Sequence, residues 1–144
     1  MRRPFGPIIA ERHLVSRDQE AARVRVSLGT PRWNGSEWEC PFRIRSAGVS
    51  EVEFGRGLDS MQALTTAVEG IRVVLESKFG ALSWEGVFPH HSGFQRAIPL
   101  SLDPAFSRRV ERLVDREFER HLRQLKQRNT KRRMASKSGK RSSP

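Results

Sequence analysis

Asp59-Ser60-Met61-Gln62-Ala63-Leu64-Thr65-Thr66-Ala67-Val68-Glu69-Gly70-Ile71-Arg72-Val73-Val74-Leu75-Glu76-Ser77-Lys78-Phe79-Gly80 is the stretch whose reading decides the fold. Met61, Leu64, Val68, Ile71 and Leu75 recur at steps of three and four, which places them on one face of an α-helix. Asp59 can cap the first free amides, and Gln62, three residues on, can reach back as in a capping box. Gly80 stands where helices commonly end in a left-handed residue. Such a helix needs an apolar surface to cover.

Upstream, four strand-like runs supply that surface. Ile8 to Val15 reads as the first, behind a Pro4-Phe5-Gly6-Pro7 lead-in that cannot be helical. In the second, Ala22, Val24, Val26 and Leu28 alternate with Arg23, Arg25 and Ser27. The short Ser16–Glu20 link favours an antiparallel hairpin. Trp38, Cys40, Phe42 and Ile44 form the apolar face of the third strand, with Arg43 and Arg45 pointing away. Val52 and Phe54 repeat the pattern in the fourth, with Glu51 and Glu53 outward.

Pairing Phe42 with Phe54 and Ile44 with Val52 also sets Arg43 opposite Glu53 and Arg45 opposite Glu51. Both faces agree on that register and leave Ala47-Gly48-Val49 as the loop. A two-residue Asn34-Gly35 turn would instead mismatch the faces of the second and third strands, so a bulge or longer loop is expected there. The fold expected is therefore α+β: an antiparallel four-stranded β-meander with one helix packed across its apolar face. Gly70 then marks a close approach of the helix to the sheet.

Residues 81–102 hold Leu82, Trp84, Val87, Phe88, Phe94, Ile98 and Leu100, too apolar for a free linker. Their Gly and Pro content rules out one long element, which leaves an ordered loop with a short strand near Phe94–Ile98. Asp103-Pro104 opens a second, C-terminal amphipathic helix, with Asp103 as cap and proline at the first helical position. Phe106, Val110, Leu113, Val114, Phe118, Leu122 and Leu125 form its stripe. The apolar residues thin out after Arg128. The expected organisation is a single α+β domain over 1–125 and a basic, disordered tail over 126–144.

Charge follows the same division. The chain of 144 residues carries a net +11. Residues 1–100 hold 13 Lys/Arg against 11 Asp/Glu, whereas residues 101–144 hold 14 against 5. The body is nearly neutral and the basicity belongs to an appendage. A hydrophobic fraction of 36% with three Trp and eight Phe suffices for one modest core. Cys40 is the only cysteine, so no internal disulfide forms, in keeping with a reducing cytoplasm. No apolar run is long enough to span a membrane, and Arg2-Arg3 is followed by no signal core. A cytoplasmic location away from membranes is expected.

Several pieces taken in order carry a family resemblance: Ala10-Glu11-Arg12, Trp38-Glu39-Cys40-Pro41-Phe42-Arg43-Ile44 and Gly57-Leu58-Asp59-Ser60-Met61-Gln62-Ala63-Leu64. Trp84-Glu85-Gly86, Gly93-Phe94, Ile98-Pro99 and Arg109-Val110-Glu111-Arg112-Leu113-Val114 follow. Over roughly residues 8–122 the chain resembles an uncharacterised family of small proteins known only as a domain of unknown function. The resemblance implies a bacterial source; it implies no activity, ligand or catalytic residue.

The residues that could carry chemistry read as structural. Cys40 shares a face with Trp38, Phe42 and Ile44, where an inert core thiol belongs. His90-His91 lacks the further ligands a metal requires, and His13 and His121 stand alone, so no metal or other cofactor is expected. Gly55-Arg56-Gly57 lacks the third glycine of a dinucleotide loop, and Asp59 would repel an anion, which leaves a tight turn. No enzyme signature is present.

The basic residues are the remaining candidates. Arg108, Arg112, Arg116 and Arg120 repeat at i+4 down the second helix, offset by Glu111, Asp115 and Glu119. Lys126, Arg128, Lys131, Arg132, Arg133, Lys137, Lys140 and Arg141 follow with no acid among them. Such a segment binds polyanions by counterion release without sequence specificity. The chain reads as a non-catalytic module for an unidentified protein partner. The alternative is a nucleic-acid-associated protein that grips phosphate backbone through the helix and tail.

Overall fold

The structure, a computed structural model, describes residues 5–16, 23–84, 91–97 and 103–139, with side chains as far as Met134. The order is β1 (Ile8–Ser16), β2 (Arg23–Gly29), β3 (Arg32–Trp33), β4 (Trp38–Ser46), β5 (Val49–Gly57), α1 (Ser60–Lys78), β6 (Leu82–Trp84) and α2 (Pro104–Gly139). The chain divides into two compact units, 1–97 and 98–144.

In the first unit β1, β2, β4 and β5 form an antiparallel meander. Two short strands extend it to six. β6 pairs with the end of β1 through Leu14 opposite Trp84, and β3 continues β2 along the same edge of β4. Between Leu28–Phe42 and Arg32–Glu39, three residues of the β2–β3 side face two of β4, which is the expected bulge. The connection is the longer one as well: Asn34 Oδ1 accepts from the amides of Ser36 and Glu37, and Asn34 N–H bonds to Glu37 O.

α1 starts and stops where its end residues dictate. Asp59 Oδ1 accepts from Gln62 N at 2.7 Å, and Gln62 Oε1 accepts from Leu58 N at 2.7 Å. Phe79 closes the helix onto Leu75 O, and Gly80 follows at φ +60°. The buried stripe is Ala63, Ala67, Ile71 and Leu75, with Leu64, Val68 and Val74 half-covered beside it. Met61, expected within the stripe, is 70% exposed. The helix enters so close to the sheet that alanines, not long side chains, occupy its near face.

Beneath the helix lie Leu14, Val24, Val26, Leu28, Cys40, Phe42, Ile44 and Leu82. Each large side chain fully buried here is worth about 1.5–3 kcal/mol. Ala22 lies outside the described residues, as do most of the link after Ser16 and Ile98, the last residue of the strand expected near Phe94. Residues 94–97 are described and form no strand; Phe94 packs on the core edge.

The register of β4 with β5 differs by one residue from the expectation. Phe42 faces Glu53, Ile44 faces Glu51, Arg43 faces Val52 and Arg45 faces Ser50, around a tighter turn at Ala47-Gly48 with Gly48 at φ +82°. Consequently Glu51, Glu53, Gly55 and Gly57 share the helix side, while Val52 and Phe54 lie on the outer face. Lys78 of α1 reaches Glu51 at 2.6 Å. The reason for the register is at the glycines. A Cβ on Gly55 would stand 2.1 Å from Ala67 N, and one on Gly57 2.5 Å from Ala63 N. Gly55-Arg56-Gly57 is thus a strand end pressed against a helix, not the tight turn expected of it. Gly70 is the helix's own close approach, to the Phe42 ring.

In the second unit Asp103 caps α2: its Oδ1 accepts from Ala105 N at 2.9 Å, and its carbonyl accepts from Ser107 N. The helix does not stop near Arg128. It continues to Gly139, a run of 36 residues or about 54 Å.

Candidate functional site

α2 carries most of the residues that sequence reasoning singles out. Arg108, Arg112, Arg116 and Arg120 follow one another at single-turn intervals and all are exposed. Arg116 Nε donates to Arg112 O at 3.3 Å, and Arg120 pairs with Glu117. Glu119 pairs with Arg123 at 3.7 Å, four residues on. The acids therefore compensate part of the ridge. Both ion pairs are exposed, which makes each worth at most about 1 kcal/mol.

Past Arg123 no acid follows on α2. Lys126, Arg128, Lys131, Arg132 and Arg133 are exposed, and at 100° per residue they spread around the helix instead of lining one face. Lys137 lies within α2; Lys140 and Arg141 lie outside the described residues. On the other side of the same helix Leu113, Val114, Phe118, Leu122 and Leu125 are 40–66% exposed. α2 is thus amphipathic with an open apolar stripe and a strongly basic distal half.

The remaining candidates fall as structural groups. Cys40 is buried, with Sγ 3.4 Å from Gly29 O, and burial pushes its thiol up to about 11. A thiol so placed is a poor nucleophile. His91 Nδ1 accepts from Gly93 N at 2.8 Å, and its carbonyl accepts from Trp84 N. It fastens the 91–97 segment to β6. His90 lies outside the described residues; His13 and His121 are exposed. Among the described residues no three His, Cys, Asp or Glu side chains cluster to hold a metal. Nor is any described helix long and apolar enough to cross a membrane.

The same segment is tied down by Arg12. Its guanidinium lies 4.0 Å from the Trp84 ring centroid and 4.4 Å from that of Phe94, and Nη1 donates to Ser92 O. Beside it, a cavity of about 380 Å³ opens among Ala10, Val26, Leu28, Val68, Ile71 and Phe94.

Sequence reasoning did not single out Arg23, Arg25 and Arg45, which the sheet brings together on its outer face. The signal was present as arginine at alternate positions in two strands. Pairing Arg45 with Glu51 by the wrong register neutralised it.

No curated protein and no solved structure matches the chain. A family model described as "Domain of unknown function (DUF6968)" matches residues 10–96. The match ends within one residue of the boundary between the two units and leaves α2 outside it. On that match, which spans more than half of its length, the chain belongs to this family of unknown function.

Proposed function

We propose that the chain is a non-catalytic binding module with α2 as its main binding element. The observation that carries this reading is the open apolar stripe of Leu113, Val114, Phe118, Leu122 and Leu125 beside a basic face on one long helix. Amphipathic helices of this kind dock their apolar face into a partner's groove, read as anchors at i, i+4 and i+7. Arginines flanking the stripe select a groove rimmed by acidic residues. The test is retention of a protein partner by the full chain and by variants. Phe118→Glu with Leu122→Glu abolishes retention, whereas Met134→Glu, outside the stripe, leaves it intact; equal retention by all three refutes the reading.

Nucleic-acid association is the second reading. The observation that favours it is the continuation of α2 through Lys126, Arg128, Lys131, Arg132, Arg133 and Lys137 with no acid. A helix of this diameter fits a DNA major groove, and its cations would displace condensed counterions. Titration of duplex DNA and single-stranded RNA over a salt series, with the full chain and a version ending at Leu125, separates the two readings. Affinity that falls steeply with salt and vanishes on truncation supports the phosphate-backbone reading. Absence of binding at low salt excludes it.

A further inference from the structure

The outer face of the sheet holds a second concentration of positive charge, on residues independent of α2. His13 on β1 stands opposite Arg25 on β2, Arg25 opposite Arg45 on β4, and Arg45 opposite Ser50 on β5. These partners form one row across four strands spaced about 4.8 Å apart. Arg23 and Arg43, each two residues from a member of the row, project to the same face. Like charges directly opposed in a sheet are destabilising, so the Arg25–Arg45 pair works against the fold.

Little on that face offsets it. Glu11 Oε2 accepts from Arg25 Nη2 at 3.2 Å, and its Oε1 accepts from Ser27 Oγ at 2.8 Å. Arg43 is spent on Phe5, with its guanidinium 4.2 Å from the ring. The two acids nearest Arg45 in the hairpin, Glu51 and Glu53, belong to the opposite face by the register of β4 with β5. Among the described residues neither Arg23 nor Arg45 has an acidic partner. A groove of about 500 Å³ opens there, lined by Arg23, Arg25, Arg45 and the Ser46–Ser50 turn.

We propose that this groove is a phosphate-binding site. Guanidinium forks match the oxygens of a phosphate and bind it by paired charge-assisted hydrogen bonds. Three of them, lining one groove from two strands, suit the free oxygens of a phosphate, two on a diester and three on a monoester, better than a carboxylate. The hydroxyl of Ser50, which stands opposite Arg45 on the same face, supplies a further donor at the rim. The site goes beyond the reading of α2 as the main binding element and does not depend on it. The phosphate belongs either to a small phosphorylated molecule or to a polynucleotide backbone, and the experiment tells them apart.

The full chain, labelled with ¹⁵N, is titrated with pyrophosphate and separately with a short single-stranded RNA. Pyrophosphate shifts the amides of Ala47–Ser50 and the Nε resonances of Arg25 and Arg45. Arg45→Gln weakens this binding at least about tenfold, the loss expected for one charged hydrogen-bonding partner. The same substitution leaves the unfolding temperature equal or raised, because it removes the opposed charge. Arg25→Gln weakens binding similarly and serves as the second variant. RNA shifts at the groove that pyrophosphate reverses assign the phosphate to a polynucleotide; shifts with pyrophosphate alone assign it to a small molecule. The proposal fails if millimolar pyrophosphate moves no groove resonance, if its shifts are confined to α2, or if Arg45→Gln binds as tightly as the parent.

Discussion

Gly55 and Ala67 meet backbone to backbone, so closely that a methyl group on Gly55 would stand 2.1 Å from the Ala67 amide nitrogen. No rotamer relieves such a contact, because both partners are main chain. Gly55→Ala is therefore expected to destabilise the protein by about 3 kcal/mol or more, the upper end for overpacking. Urea unfolding measures it. A loss below about 1 kcal/mol, the ordinary propensity scale, would mean that α1 can lift from β5 at little cost.

Ile71 and Met61 occupy the same helix but differ in what covers them. Ile71 is 1% exposed under α1. Ile71→Ala should lose about 2–5 kcal/mol, whereas Met61→Ala should stay within about 0.5 kcal/mol. Equal losses would place Met61 in the core, where spacing alone had put it.

Cys40 should resist alkylation while the protein is folded. Its thiol, pushed up to about 11, is almost wholly protonated at pH 8, and no solvent reaches it. Iodoacetamide labelling at pH 8 should proceed only with unfolding. The same shift sets a pH dependence. A thiol that ionises near 9 when unfolded and near 11 when folded releases its proton first in the unfolded chain. Stability therefore falls as pH rises through that window, and Cys40→Ala should flatten the decline.

Glu69 joins α1 to the 91–97 segment. Its Oε2 accepts from Arg72 Nε at 3.0 Å and from Ala97 N at 3.2 Å, and Arg72 holds its carboxyl below the ordinary 4.5. A carboxyl depressed on folding contributes stability above its unfolded value and loses it as pH falls through the folded one. The protection of the Ala97 amide, measured as exchange relative to its intrinsic rate at each pH, should fall on acidification below about pH 4.5, and in Glu69→Gln it should be lower already at neutral pH. An amide indifferent to both would mean that the bond does not hold the segment.

What could be read from the sequence, and what could not, divides on distance from the helix. Val24, Val26, Leu28, Cys40, Phe42 and Ile44 lie under α1 at a separation that apolar side chains fill, so alternation identifies their face. At the end of β5 the helix backbone comes within contact of the strand, and only glycine fits at positions 55 and 57. The apolar Val52 and Phe54 are displaced to the outer face, where Phe54 lies beneath Arg32 at 5.9 Å. Reading apolar residues as inward shifted the register by one and hid the arginine row. The candidate residues of α2 were legible from composition; those of the outer sheet face needed the pairing of strands distant in sequence.

Beyond Leu125 α2 persists without an apolar period to support it. The apolar period ends near Leu125, and a pattern-based reading ends the helix with it. Yet Gln127, Lys131, Arg132, Met134 and Ala135 are all good helix formers, and propensity alone can carry the backbone on to Gly139. Lys and Arg near the C-terminal end also complement the helix dipole. Against this, Arg128 and Arg132 stand at i+4, as do Arg133 and Lys137, and each like pair costs a few tenths of a kcal/mol. Salt screens that repulsion over about 10 Å at 0.1 M. Helical ellipticity should therefore rise when salt is added to the full chain at neutral pH, and the rise should disappear in a version ending at Leu125. A signal that falls with salt would mean that dipole and ion-pair terms, not repulsion, govern the distal turns.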